Sequence, residues 1–350
     1  MSGRRRNHFI PRFLLNRFAS RRDGKKSWIW QISRDGKAVE VSTRDTAVAT
    51  DFYGGPETGL EDAFAAAETE LSQTLARIER GEPLSGYADE LRQLVWALAM
   101  RTRAFREHFV KVTEGFVEEL QKSIETQAAQ RAMVRRVEAR LFESIEKDIE
   151  ALPEEARGFV AAFFSDPAAR EFMAKEVKGF MRSPLPQLFF GQMRDMLYAQ
   201  GVLQEAAEEG HIKGLAQMLA EKKPPSAFSP AHWRLCRVET QMVLGDLCIV
   251  AVDGEGKYGA ILESDVFSWQ TLYLPISNST VLVAGKQELR PLLSPEDVNR
   301  ISAELSSSHI YCSKPTDSIL SLAPLIGAKS PFVSTQEVSD MIADGWENEE

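Results

Sequence analysis

The chain is short of cysteine, lacks any long apolar run, and carries almost none of the compact motifs that identify a known chemistry. Its three cysteines, Cys236, Cys248 and Cys312, are spread through 350 residues with no CxxC pair, which argues against a disulfide framework or a cysteine-built zinc site. They read as small core residues of a protein from a reducing compartment. No apolar stretch reaches the ~18 residues of a membrane-spanning helix. There is no phosphate-cradling P-loop, and Gly254-Glu255-Gly256 lacks the third glycine of a dinucleotide fingerprint. GxSxG, HExxH and cysteine-nucleophile signatures are absent. His108, His211, His232 and His309 have no metal-ligand spacing among themselves.

What is present begins with composition. An apolar fraction of 43% and a charged fraction of 27% belong to an ordinary globular protein of one large or two moderate domains. The net charge of −9 hides an asymmetry, because residues 1–40 hold eleven Lys and Arg against three acids. A basic arm on an acidic body suits nucleic acid or a membrane surface. It suits intramolecular docking on the acidic remainder equally, and that reading is preferred. Arg4-Arg5-Arg6 before apolar residues resembles a signal-peptide start, but Arg12 and Arg17 interrupt the apolar region. Pro11 breaks the helix that a transit peptide would need. The chain therefore reads as cytoplasmic and not membrane-bound.

Asn7-His8-Phe9-Ile10-Pro11-Arg12-Phe13-Leu14-Leu15-Asn16-Arg17-Phe18 is unusually apolar for a terminus, so it is expected to dock. Residues 27–32 and 38–42 alternate as strands around Asp35-Gly36, a hairpin turn. Thr46 to Tyr53 adds an extended piece before Gly54-Gly55-Pro56. From Glu57 to about Ala220 the period is helical. One apolar stripe runs from Leu60 to Ile78 and is stopped by Gly81 and Pro83, and a second runs from Leu91 to Phe109. Further helices are predicted over 116–150, 154–165, 168–181, 185–202 and 205–222, with breaks at Pro153, Pro167, Pro184 and Gly210.

Lys222-Lys223-Pro224-Pro225-Ser226 marks a composition break. Beyond it, 234–244, 246–252, 272–276, 280–284 and 309–313 read as strands. Ser294-Pro295-Glu296-Asp297 opens a helix to about Ser306. The acidic end, 347–350, reads as disordered. The predicted fold is α+β: the N-terminal arm and hairpin (7–55) join a mostly antiparallel C-terminal sheet and helix (234–325), and a helical block (56–222) is inserted between them. All of it is read as one domain over 1–350.

The His8-Phe9-Ile10-Pro11-Arg12 opening resembles that of the bacterial domain-of-unknown-function family 4238. Asp51-Phe52-Tyr53, Glu61 with Glu68, Arg101-Thr102-Arg103, Met242 to Asp246, Tyr273 to Ser277 and Pro295 to Cys312 are similar in the same order. The likeness spans residue 7 to about 320. It departs after Gly245-Asp246, where Leu247-Cys248 replaces the Asn-Pro common in the family. The resemblance implies a fold and a shared site but no established activity.

Candidate site residues follow from chemistry. His8 can act as acid, base or metal ligand near neutral pH, or can simply hold a backbone carbonyl beneath the docked arm. Glu61 and Glu68 lie within about 20° on one helix face but ~10.5 Å apart along its axis, too far to share one ion without a bend. Pairing with Arg12, Arg17 or Arg101 explains them better. Arg101 sits at the margin of an apolar stripe, suited to bidentate carboxylate or phosphate binding, with Glu61, Glu68 or Asp246 as its ordinary partner. Asp246 is a turn former or a site acid. His8, Glu61, Glu68 and Asp246 are thus candidate catalytic residues, and Arg12, Asp51, Tyr53 and Arg101 candidate substrate contacts.

Two functions compete. In one, this set hydrolyses a phosphoester, with Mg2+ or Mn2+ as candidate cofactor and nucleic acid as candidate substrate of the basic arm. In the other, the protein binds or senses a partner and the cluster is a structural salt-bridge network.

Overall fold

The architecture was obtained as a computed structural model, which describes residues 6–55, 58–124, 201–221, 230–261, 269–287 and 293–329, with a few isolated positions between 171 and 192. Contacts divide the chain into two compact units, Met1–Phe109 with Ala207–Val333 and Val110–Ala206 with Ser334–Glu350. Of the second unit, residues 110–124 and 202–206 are helical. The helices predicted over 116–150, 154–165, 168–181 and 185–202 lie outside the described residues, apart from 116–124, the end at 201–202 and the isolated positions. So do the Lys222–Ser226 break and the acidic tail.

The first unit begins with strand β1 (Arg6–His8) and a single helical turn, α1 (Arg12–Leu15). Pro11 starts that turn, and its carbonyl accepts from the Leu14 and Leu15 amides. Ile10, Leu14, Leu15 and Phe18 are completely buried in the principal core. This burial holds an otherwise fray-prone terminus, since each large side chain contributes about 1.5–3 kcal/mol when removed from water. β1 pairs antiparallel with β5 (Val48–Thr50).

β2 (Arg21–Asp23), β3 (Lys26–Ser33) and β4 (Ala38–Ser42) follow the expected hairpin, with Gly36 at φ 80° in its turn. β3 is the hinge of the topology. One edge pairs with β4, while the other pairs first with β2 and then with β12 (His309–Cys312), which continues to β7 (Leu244–Gly245). The N-terminal hairpin and the C-terminal strands therefore share one antiparallel sheet, as the α+β reading requires. A second sheet has the order β6 (His232–Arg237), β11 (Thr280–Gly285), β10 (Trp269–Ser277), β8 (Val250–Asp253), β9 (Tyr258–Gly259).

Helices α2 (Leu60–Glu79) and α3 (Ala88–Met100) bury the predicted stripes, including Phe64, Leu71 and Leu75 on one and Leu91, Leu94 and Leu98 on the other. The Leu91–Phe109 stripe is not one helix. It breaks after Met100, and α4 (Arg103–Ile124) restarts with the Thr102 hydroxyl accepting from the Phe105 amide at 3.2 Å. Gly210 is not a break either. It lies inside α5 (Val202–Glu221), where a Cβ would sit 3.4 Å from the Phe109 ring, so it serves close helix packing. α6 (Pro295–Leu305) has the expected cap, with Ser294 accepting from the Asp297 amide, and α7 (Asp317–Leu320) closes the described chain. Among the described residues no helix is long and apolar enough to cross a membrane.

Candidate functional site

The arm is fixed by a buried polar cluster centred on Arg101. Its residue exposure is only 2%, and each of its nitrogens has a partner. Nε donates to the Tyr53 hydroxyl at 2.8 Å, Nη1 to Glu68 Oε1 at 2.7 Å, and Nη2 to the His8 carbonyl at 2.6 Å. The Tyr53 hydroxyl in turn donates to that carbonyl, also at 2.6 Å. The guanidinium carbon lies 4.4 Å from the centre of the Phe64 ring. Desolvation opposes the Arg101 charge, but Tyr53 and Glu68 outweigh it and its pKa is raised. Burial pushes the Tyr53 phenol up to about 12, so at neutral pH it is a hydrogen-bond donor.

Asn7, 1% exposed, extends the cluster. Its amide donates to Glu61 Oε2 at 2.7 Å and its carbonyl oxygen accepts from the Tyr53 amide. The His8 ring lies half-buried, with Nε2 3.1 Å from the Thr43 carbonyl. Because a carbonyl only accepts, Nε2 carries the proton. Burial lowers the His8 pKa, leaving the ring neutral at pH 7.

The structure brings together His8, Tyr53, Glu68 and Arg101 directly, and Glu61 through Asn7. Arg12 follows on α1, and its buried Nε has no hydrogen-bond partner among the described residues. Asp51 is exposed in a left-handed turn at φ 52°, its carbonyl accepting from the Gly54 amide. Asp246 makes its contacts elsewhere. It accepts from the Ser307, Ser308 and His309 amides at 2.8–3.2 Å and from both serine hydroxyls at 3.0 Å. This carboxylate therefore ties the α6–β12 loop to β7.

Sequence reasoning missed a second buried station. Arg106 donates through Nε to His211 Nδ1 at 3.0 Å and through Nη2 to the Phe52 carbonyl, with its guanidinium carbon 3.6 Å from the centre of the Phe52 ring. His211 Nε2 donates to the Met100 carbonyl at 2.7 Å. Burial lowers His211 to about 4 and Arg106 to about 10, so the imidazole is neutral while the guanidinium stays charged at pH 7. Asn7 had one signal, its place in the opening motif. The Arg106–His211 pair, 105 residues apart, had none.

Beside the Arg101 cluster lies an open cavity of about 630 Å3. Ala67 and Leu71 of α2, Leu94 and Leu98 of α3, and Met218 and Leu219 of α5 form its apolar wall. Glu68 and Arg101 reach it from below, while Glu70, Asp89 and Glu90 also line it. Among the described residues no three His, Cys, Asp or Glu side chains converge as metal ligands. Glu61, Glu68 and Asp246 are moreover already engaged by Asn7, Arg101 and the α6–β12 loop. This donor set does not fit a divalent ion.

Fold and site together define an α+β protein whose own terminus is clamped into its core. The chain belongs to the family described as Protein of unknown function (DUF4238), whose model matches residues 6–319. No curated protein and no solved structure matches it.

Proposed function

We propose that this is a non-catalytic binding protein in which the Arg101 cluster is a structural clamp supporting the cavity between α2 and α3. One observation carries the reading: Arg101 spends every nitrogen on Tyr53, Glu68 and the His8 carbonyl. A guanidinium so committed has no donor to offer a substrate, and removing any partner strands a buried charge. The arm's other arginines support intramolecular docking over nucleic-acid binding. Arg6 pairs with Asp45, Arg17 with Glu79 and Arg21 with Glu40. A cytoplasmic location accords with the free thiols of Cys236, Cys248 and Cys312.

Phosphoester hydrolysis is the second reading. It rests on two unspent groups, the buried Arg12 Nε and His8 Nδ1, neither of which has a hydrogen-bond partner among the described residues. The discriminating experiment incubates the protein with labelled RNA and DNA in Mg2+, Mn2+ or EDTA, alongside His8→Ala and Glu68→Ala. The binding reading expects no cleavage and a marked drop in the Glu68→Ala melting temperature. Metal-dependent cleavage abolished in His8→Ala, with its melting temperature unchanged, would establish the enzyme instead.

A further inference from the structure

The cavity has a charge pattern that selects its ligand. Its wall is apolar, and the charged groups that reach it are unequal in number and freedom. Arg101, its one cationic lining residue, is committed to Glu68 at 2.7 Å. Of that pair, Glu68 is the more accessible, with 21% of its side chain exposed against 3% for Arg101. Only Glu68 Oε1 receives the guanidinium, which leaves Oε2 able to accept from a ligand. Asp89 is held by Arg92 at 2.6 Å. Glu70 and Glu90 have no ion-pair or hydrogen-bond partner among the described residues.

An anion entering this cavity would meet uncompensated carboxylates and find no free cation. A neutral apolar molecule would gain the wall alone. A cation on an apolar body gains both, because charge-assisted hydrogen bonds to carboxylates are stronger than neutral ones and the wall supplies buried area. The volume lies in the range of small-molecule sites, roughly 300–1,000 Å3.

Resting on the reading of the protein as a binder, we propose that the cavity between α2 and α3 takes a small organic amine, its apolar body against Ala67, Leu71, Leu94 and Leu98 and its ammonium between Glu68, Glu70 and Glu90. The acidic residues then divide their work. Glu68 is a positioning residue that holds Arg101 and presents one oxygen, and Glu70 with Glu90 supplies the selectivity.

The test uses the full chain and three probes with one apolar body: phenylbutylamine, phenylbutanol and phenylbutanoate. Calorimetric titration is expected to rank the amine at least about tenfold above the alcohol, with the carboxylate weakest. Glu70→Gln combined with Glu90→Gln changes no buried contact, and it should bring the amine down to the level of the alcohol. Ala67→Phe should weaken amine and alcohol alike. Equal binding of all three probes, weakened by Ala67→Phe, would overturn the cation preference while leaving the cavity a binding site. Amine binding indifferent to Ala67→Phe would reduce the effect to surface charge and overturn the proposal. Binding of none of the probes would overturn both this inference and the binding reading beneath it.

Discussion

Arg101 and Glu68 are 33 residues apart in sequence and 2.7 Å apart in space, and the asymmetry of their exposure sets what substitution does. Glu68→Ala leaves a buried guanidinium short of its counterion, a loss of about 3–5 kcal/mol for a fully buried pair. Glu68 is partly exposed, so water screens some of this and about 2–3 kcal/mol is expected, read from urea denaturation. Tyr53→Phe removes one hydroxyl that both donates to the His8 carbonyl and accepts from Arg101. It should cost about 1–3 kcal/mol without altering the secondary structure seen by circular dichroism. The histidines set the acid side of the stability curve. His211 falls from the 6.5 of an unfolded chain to about 4 on folding, so below pH 6.5 the unfolded state binds the extra proton. Its contribution is complete above pH 6.5 and declines as pH falls toward 4. Between pH 6.5 and 5 a loss of about 2 kcal/mol is expected from His211, with a smaller one of the same sign from His8. Urea midpoints across that window should show it, and His211→Asn should flatten the slope.

At the scale of elements, the sequence pattern was a good guide where one face is buried and a poor one where a side chain interrupts the pattern. The hairpin at Asp35-Gly36, the stripes of α2 and α3 and the Ser294 cap all rest on local rules of spacing and turn chemistry. The break at Arg101-Thr102 does not. The apolar period continues through it to Phe109, but Arg101 is drawn into the core and Thr102 restarts the helix. Thr102→Ala is accordingly expected to cost about 1 kcal/mol, measured as fraying of α4 by amide exchange. Gly245 carries a stricter constraint, because a Cβ there would lie 2.6 Å from Ser306 Oγ and 2.8 Å from the Ser302 carbonyl. Gly245→Ala should force β7 away from α6 and cost about 1–3 kcal/mol, seen as a lowered melting temperature. Asp246, legible only as a turn former or a site acid, is tied by its five acceptor contacts to the α6–β12 loop, a role no local spacing encodes.

Across the whole molecule, β3 joins regions nearly 300 residues apart, since Trp30 pairs with Cys312 and Ser33 with His309. Such pairing makes the first unit depend on both ends of the chain. By contrast, residues 110–206 leave it and return at neighbouring points: Gly210 packs on Phe109, and Arg106 bonds His211. Replacing residues 110–206 with a short Gly-Ser linker is therefore expected to leave a cooperatively folding first unit. Deleting residues 1–18, with four fully buried apolar side chains, should abolish cooperative unfolding. Urea titrations of the two truncations would check both outcomes.

The sequence by itself determined the α+β class, the apolar arm, most strands and the family resemblance. All of these follow from local periodicity, capping and composition, which nearby residues carry among themselves. It also narrowed Glu68 and Arg101 to a salt-bridge reading and His8 to a residue holding a carbonyl. Only the tertiary structure decided that Arg101 pairs with Glu68 and that Asn7 reaches Glu61. It alone joined Arg106 to His211 and gathered free carboxylates around one apolar cavity. The physical reason is distance along the chain. Hydrogen bonds and ion pairs act over a few ångströms of space, and residues brought together by packing across 33 to 105 positions leave no repeating trace in sequence.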